Sequence, residues 1–204
     1  MPADISRVPP PDGLRRIAVI GTTGSGKTTM AQRLSERLGI AHVELDALHW
    51  GSNWTEVPPE VFRERTDLAL RGDTWVADGN YSVVRDMVWG RADTVVWLDY
   101  PLWLVMARLW RRTLRRIFTQ EELWSGNRER FAAQFFSRES LFLWALQTYG
   151  RRRREFPILL GRPEYGHLTV VHLRSPRAAH AWLAGLVTRS AGSAPATAGR
   201  PAPR

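Results

Sequence analysis

The sequence predicts a three-layer α/β domain, and three observations lead there. Short β-like runs alternate with helical patterns; the first run passes through a glycine-rich turn straight into a helix; and acidic residues recur at the ends of three runs. Strands alternating with crossover helices lie parallel in one sheet, with helices on both faces.

The elements follow in order. The strand candidates are RIAVI (16–20), AHVEL (41–45), TWVA (74–77), TVVWL (94–98) and LTVVHL (168–173), each short, apolar and rich in β-branched residues. After the first, Met30, Leu34 and Leu38 recur every fourth residue, and Gly39 stands where a left-handed C-cap belongs. Residues 58–71 open on proline and carry Val61, Phe62, Leu68 and Leu70, the pattern of a second helix. Residues 112 to about 154 break the rhythm with a long helical stretch and no strand, which reads as an inserted lid and a covering helix. No internal repeat is present.

Composition sets the limits. The chain has 204 residues, 44% hydrophobic and 24% charged, enough for one domain with a substantial core. Residues 15–189 form that expected domain. Residues 1–14 and 190–204 are rich in Pro, Gly, Ala and Ser, and read as a flexible N-terminal tail and a disordered C-terminal tail. There is no signal-peptide pattern, and no run approaches the roughly 18 apolar residues that span a bilayer. The longest candidate, TVVWLDYPLWLVMARLW, is interrupted by Asp99 and Pro101. The absence of cysteine excludes disulfides and thiolate metal sites. A cytoplasmic protein is the expectation.

The net charge is +9, and every cation but one is arginine, which looks like coding bias. Lys27 is the sole lysine. It lies in VIGTTGSGKTTM, where Gly21, Gly26, Lys27 and Thr28 fit G-x-x-x-x-G-K-[ST] between an apolar strand and an amphipathic helix. In that setting the backbone N–H groups of residues 21–29 (Gly21, Thr22, Thr23, Gly24, Ser25, Gly26, Lys27, Thr28, Thr29) cradle an anion, and the helix N-terminus adds partial positive charge. A flexible ammonium can reach the β- and γ-phosphates of a nucleotide; a planar guanidinium has the wrong shape. Thr28 would offer its hydroxyl to Mg²⁺. ATP and Mg²⁺ are the expected ligands.

Asp46, Asp78 and Asp99 each sit at or just past the C-terminal end of a predicted strand, the sheet edge that bears the phosphate loop. Asp78 is the choice for organising Mg²⁺. Asp46 is the choice for the acceptor side, where a carboxylate orients, or takes the proton from, the attacking hydroxyl or phosphate. Asp99 has two readings, site residue or strand terminator before Pro101.

The segments GTTGSGKTT, LDALHW, VADGNYS and VVWLDYP, followed by Arg108 and Arg112, resemble the adenylate-kinase-like P-loop kinases. Within them the branch labelled DNA topology modulation (FlaR-like) proteins is most similar. The resemblance spans about residues 16–186. It implies a nucleoside monophosphate kinase-like P-loop NTPase fold, a five-stranded parallel sheet of order 2-3-1-4-5 with a helical lid, and phosphoryl transfer from a nucleoside triphosphate. In that family a D-G segment follows the third strand, and an R-x-x-x-R pair after the fourth contacts phosphates from the lid. Asp78-Gly79 and Arg108/Arg112 stand at those positions. Lys27, Asp46, Asp78, Arg108 and Arg112 are therefore the candidate catalytic residues, and Thr28 and Asp78 the candidate metal residues.

The departures fall on the acceptor side. Adenylate kinases continue D-G with Phe-Pro-Arg, whereas Asn80-Tyr81-Ser82 follow here, without the arginine expected on an acceptor phosphate. LDALHW likewise replaces their acceptor-nucleotide segment, so the chain does not read as an adenylate kinase. His49, Trp50, Asn80 and Tyr81 read as an acceptor pocket of stacking and hydrogen-bonding groups, with core packing the open alternative for Trp50 and Tyr81. In WSGNRERF, Arg128 is a further candidate aimed at the site. Arg108, Arg111, Arg112, Arg115 and Arg116 read as lid cations or as a solvated helix face. The run Arg151–Arg154 is expected at the C-terminal end of an apolar helix (141–149), where cations meet the dipole; a nucleic-acid footprint is its sharper alternative. Two function classes remain: a Mg²⁺- and ATP-dependent kinase of a small molecule, and a nucleotide-binding regulator that engages DNA.

Overall fold

The computed structural model describes residues 14–119 and 141–186. Five strands build one parallel sheet: β1 (Arg16–Gly21), β2 (Ala41–Glu44), β3 (Trp75–Asp78), β4 (Thr94–Leu98) and β5 (Thr169–Leu173). Their order is β2-β3-β1-β4-β5, as the resemblance implies. Among the described residues seven α-helices run between and after them: α1 (Lys27–Leu38), α2 (Leu45–His49), α3 (Pro59–Ala69), α4 (Arg85–Arg91), α5 (Leu102–Thr119), α6 (Leu141–Leu160) and α7 (Pro176–Gly185). Each strand starts or ends within one residue of the boundary its sequence predicts.

The sheet is buried on both faces because its strands are apolar at nearly every position, the mark of a parallel sheet between helical layers. Alternation then deals the side chains to two cores. Ile17 and Val19 of β1, Val76 of β3 and Val96 of β4 pack with Met30, Leu34 and Leu38 of α1 and with Ala179 and Leu183 of α7. Ala18, Ile20, Trp75, Ala77, Val95 and Trp97 point the other way, against Phe62 of α3, Val88 of α4, and Phe156 and Leu160 of α6. With roughly 25 cal/mol gained per Å² of apolar area removed from water, these two cores are the main stabilising term.

Local signals set the helix ends. Gly39 ends α1 in the left-handed region, its N–H donating to Ser35 O. Pro59 occupies the first turn of α3. Ser175 caps α7 by accepting from the Ala178 N–H at 3.1 Å. Helix α6 corrects one expectation: it runs without a break from Leu141 through Gly150 and the four arginines to Leu160. Arg151–Arg154 thus occupy the middle of the helix, and no dipole terminus gathers them. Of the expected lid, the described residues contain only the ends of α5 and α6. Arg128 lies outside the described residues, as do both expected tails except Leu14, which is buried in the core.

Candidate active site

The loop between β1 and α1 is shaped by backbone geometry. Ser25 N–H donates to Thr22 O at 3.0 Å, closing a tight turn. Gly24 and Gly26 follow with φ of 85° and 92°, a region that side chains rarely enter. Gly24 has a steric reason as well, because a Cβ there would stand 3.0 Å from Val105 O and 3.2 Å from Leu109 Cβ on α5. The first intrahelical bond of α1 runs from Met30 N–H to Gly26 O. The N–H groups of Lys27, Thr28 and Thr29 therefore precede the helical ladder and face the cleft that these residues line.

Asn80 fastens the root of the loop. Its Oδ1 accepts from Gly21 N–H at 3.2 Å, and its Nδ2 donates to Gly21 O. Two expectations change. The amide of Asn80 acts on the loop instead of being offered to an acceptor, and the Gly21 N–H is committed to Asn80 and not to an anion. On the far side Arg108 Nη1 donates to Ser25 O at 3.0 Å while its guanidinium lies 5.1 Å over the Tyr100 ring. Arg108 thus braces the loop from α5.

Register brings the acids to this loop. Asp78, the last residue of β3, pairs across the sheet with Val19 of β1 and Glu44 of β2. It is only 3% exposed. Its Oδ2 accepts from the Thr28 hydroxyl at 2.7 Å, and its Oδ1 lies 2.8 Å from His42 Nε2. The His42 imidazole is held above its ordinary basicity chiefly by that hydrogen bond. Glu44 Oε1 stands 3.4 Å from the same Thr28 hydroxyl. Thr28, Asp78 and Glu44 are an all-oxygen donor set of the kind Mg²⁺ takes. Among the described residues no group of three or more His, Cys, Asp or Glu side chains forms a metal cage by itself.

Lys27 lines the cleft, half-buried. Burial pulls its ammonium down to about 8; Arg152 and Arg112 push in the same direction, while Asp46 and Asp78 oppose them. Lys27 therefore senses Asp46, Asp78, Arg112 and Arg152, all of which line one cleft except the buried Asp78. Arg152 is half-buried too, its guanidinium held to about 10 mainly by burial. Its Nη1 is buried without a hydrogen-bond partner.

Asp46 falls in the first turn of α2, two residues beyond the end of β2. Its Oδ1 accepts from the Tyr81 hydroxyl at 2.6 Å. Burial and then the Asp46 charge raise the phenol far above its ordinary pKa, so the proton stays on Tyr81 and the contact is a donor to a carboxylate. The Tyr81 ring lies 4.5 Å from His49 and 5.0 Å from Phe62. Trp50 meets Trp54 edge-on at 5.8 Å. Both readings of these aromatics have a structural counterpart: Tyr81 packs on the core beneath α3, and Trp50, Tyr81 and His49 also line the cleft.

Asp99 belongs elsewhere. It is buried, with Arg153 Nε at 2.9 Å and His172 Nε2 at 3.0 Å. Arg153 also receives support from the Tyr149 hydroxyl at 3.0 Å. Adjacent arginines of α6 thus point to different partners, about 100° apart around the helix.

Sequence reasoning passed over three residues of this region. Glu44 and His42 carried one signal, a polar residue at alternate positions of a short strand, both turned to the α1 face. Arg152 carried none, because the rotational phase of α6 decides which arginine of the run enters the cleft.

No protein-family description matches the chain. A shikimate kinase of Synechococcus elongatus is 29% identical over 136 residues, covering 56% of this chain and 71% of that protein. The uncharacterized protein YqaC of Bacillus subtilis is 27% identical over 131 residues, covering 63% and 72%. A putative adenylate kinase of Thermococcus kodakarensis is 40% identical over 73 residues, covering 32% and 41%. With the strand order and the loop geometry above, the chain carries the P-loop kinase fold and is similar to small-molecule kinases.

Proposed function

We propose that the protein is a Mg²⁺- and ATP-dependent kinase that transfers the γ-phosphate to a hydroxyl of a small molecule. One observation carries this reading: the loop residues, Lys27, Thr28 and the Tyr81–Asp46 pair line the same cleft, with Asp78 buried directly behind Thr28. A nucleotide donor site and a base for an acceptor are thereby set side by side.

Each side chain then has a task. The amides of residues 24–29 and Lys27 hold the triphosphate. Thr28, Asp78 and Glu44 would hold Mg²⁺, which neutralises charge on the β- and γ-oxygens when bound. Asp46, oriented by Tyr81, accepts the proton of the acceptor hydroxyl as its oxygen bonds to the γ-phosphorus; the bond from phosphorus to the β,γ-bridging oxygen breaks, and ADP leaves. Arg112 and Arg152 face the same cleft and offset the negative charge of the transferring group. Arg108 keeps the loop in place. His49 and Trp50, with the ring of Tyr81, give the acceptor a surface to stack on, and Arg128 remains a candidate cation for it.

The acceptor belongs among nucleotides, nucleosides and hydroxyl compounds such as sugars and hydroxy acids. Support comes from relatives named for shikimate and adenylate, together with an acceptor wall that lacks the adenylate kinase Phe-Pro-Arg. LDALHW and VADGNYS favour the DNA topology modulation (FlaR-like) branch for its finer placement. A DNA-binding role has no comparable support. Arg152 lines the cleft, Arg153 pairs with Asp99, and Arg151 lies 3.7 Å from Glu155, so three of the four arginines are engaged within the domain.

The test is ADP release measured with shikimate, gluconate, AMP, nucleosides and sugars as acceptors. Lys27→Ala and Asp78→Asn should each lower turnover by at least about 10³-fold. Retained turnover in either variant defeats the assignment. DNA affinity, had it a role, would fall steeply with salt, whereas turnover would not.

A further inference from the structure

His42 does not line the cleft, and none of the tasks above uses it. It sits in the middle of β2, two residues before the strand ends. Alternation separates it from Val43, which packs on the core beneath α3, and puts it on the face where Glu44 reaches Thr28 of α1. From there its Nε2 meets Asp78 Oδ1 at 2.8 Å, while Thr28 holds Oδ2 at 2.7 Å.

A carboxylate turns easily about its terminal bond, since that torsion is broad. A single donor on one oxygen leaves the other to swing. Two donors on opposite oxygens fix the plane, and at Asp78 one of them is itself a candidate metal residue. Nε2 carries hydrogen both in imidazolium and in one neutral tautomer, so the contact needs no particular charge on the ring. Glu44 does not replace it, because a carboxylate has no hydrogen to donate to Asp78 and its oxygen stands 3.4 Å from the Thr28 hydroxyl.

We infer that His42 is a positioning residue of the metal–nucleotide site, holding Asp78 so that its second oxygen faces Thr28 and the place of the ion. This rests on the kinase reading above. The donor site thus extends one layer behind the residues that would touch the ligand, into the strand next to β3.

The test uses the full-length chain and a fluorescent ADP (mant-ADP), titrated with MgCl₂ and, separately, in EDTA. His42→Ala and the shape-preserving His42→Phe should raise the half-saturating Mg²⁺ concentration about tenfold, the usual effect of losing a partner behind a metal ligand. Affinity in EDTA should change less than about twofold, because the loop amides are untouched. His42→Gln, whose amide can donate to Oδ1, should restore most of the metal response. An unchanged Mg²⁺ requirement in both Ala and Phe variants overturns the inference. So does an equal loss of binding in EDTA, which would mark His42 as a support of the loop. Failure of Gln to rescue would assign the effect to packing and overturn it as well. If the wild-type chain itself bound mant-ADP without any response to Mg²⁺, the kinase reading would fail, a result distinct from each of these.

Discussion

Tyr81 holds Asp46 by a single hydrogen bond of 2.6 Å between a phenol that keeps its proton and a carboxylate at the mouth of α2. The pair links the segment after β3 to the segment after β2, so the carboxylate proposed as acceptor base is oriented by a residue 35 positions away in sequence. Tyr81→Phe keeps the ring against His49 and Phe62 and removes only the hydroxyl. A lost charge-assisted hydrogen bond is worth roughly 1.5–3 kcal/mol, so kcat should fall about ten- to hundredfold. ATP affinity should stay within about twofold of wild type, because Tyr81 touches no loop amide. Steady-state ADP release and nucleotide titration check both halves, and Asp46→Asn should show the same split with a larger loss of kcat.

Lys27 gives a pH dependence with a definite sign. Its amine releases a proton near 8 in the folded chain but near 10.5 when unfolded. Below 8 both states are protonated and the full penalty of burying the ammonium applies. Between 8 and 10.5 the unfolded chain holds more protons, so stability rises with pH across that window. Nucleotide binding runs the other way, since triphosphate needs the charged form. ATP affinity should fall as pH climbs through about 8. Lys27→Met removes the penalty and should raise the melting temperature by several degrees at pH 7 while abolishing turnover, the usual conflict between stability and function. Calorimetry across pH 7 to 10 tests the first statement, and a melting temperature that drops over that range would refute it.

Asn80 joins the end of β3 to the root of the loop through both halves of its amide. Asn80→Ala should lose about 1–2 kcal/mol of stability at roughly 1 kcal/mol per hydrogen bond. Because Gly21 is then unfastened, ATP binding should weaken several-fold. Asn80→Asp keeps the acceptor toward Gly21 N–H but not the donor, and should fall between. Thermal melts with and without ATP separate the two effects.

Asp99 should behave differently from the other strand-end acids. Its carboxylate partners are Arg153 of α6 and His172 of β5, neither of them in the loop. Asp99→Asn should destabilise the fold by about 1–3 kcal/mol, short of the larger values for fully buried pairs because Arg153 is nearly half exposed. Its kcat should equal that of wild type. A selective loss of turnover with unchanged stability would move Asp99 into the active site.

What could be read from sequence divides along lines of range. Gly24, Gly26, Lys27 and Thr28 lie between a strand and a helix that announce themselves locally, so the loop and its chemistry were legible. So were five strands, because a doubly covered parallel sheet writes itself as near-continuous apolar runs. Their order came from family resemblance, since nothing in RIAVI or TVVWL says which is its neighbour. Residues whose meaning depends on a distant partner were not legible. Asn80 looked like a free amide until Gly21 was seen against it. The four arginines look like the end of a helix because the apolar stretch stops at Tyr149, yet packing of Phe156 and Leu160 on the sheet carries α6 on to Leu160. His42 was hidden by its position in mid-strand, away from the strand ends where parallel sheets place their chemistry.

The solitary ammonium has a practical consequence. In most proteins amine-directed reagents strike many side chains, but this chain offers only Lys27 and its N-terminal amine. Since a neutral amine is the nucleophile, burial that lowers Lys27 to about 8 also makes it unusually ready for acylation at mild alkalinity. Mass spectrometry of a briefly acylated sample would therefore read occupancy of the phosphate cradle at one tryptic peptide, with ATP protecting it and no acceptor required.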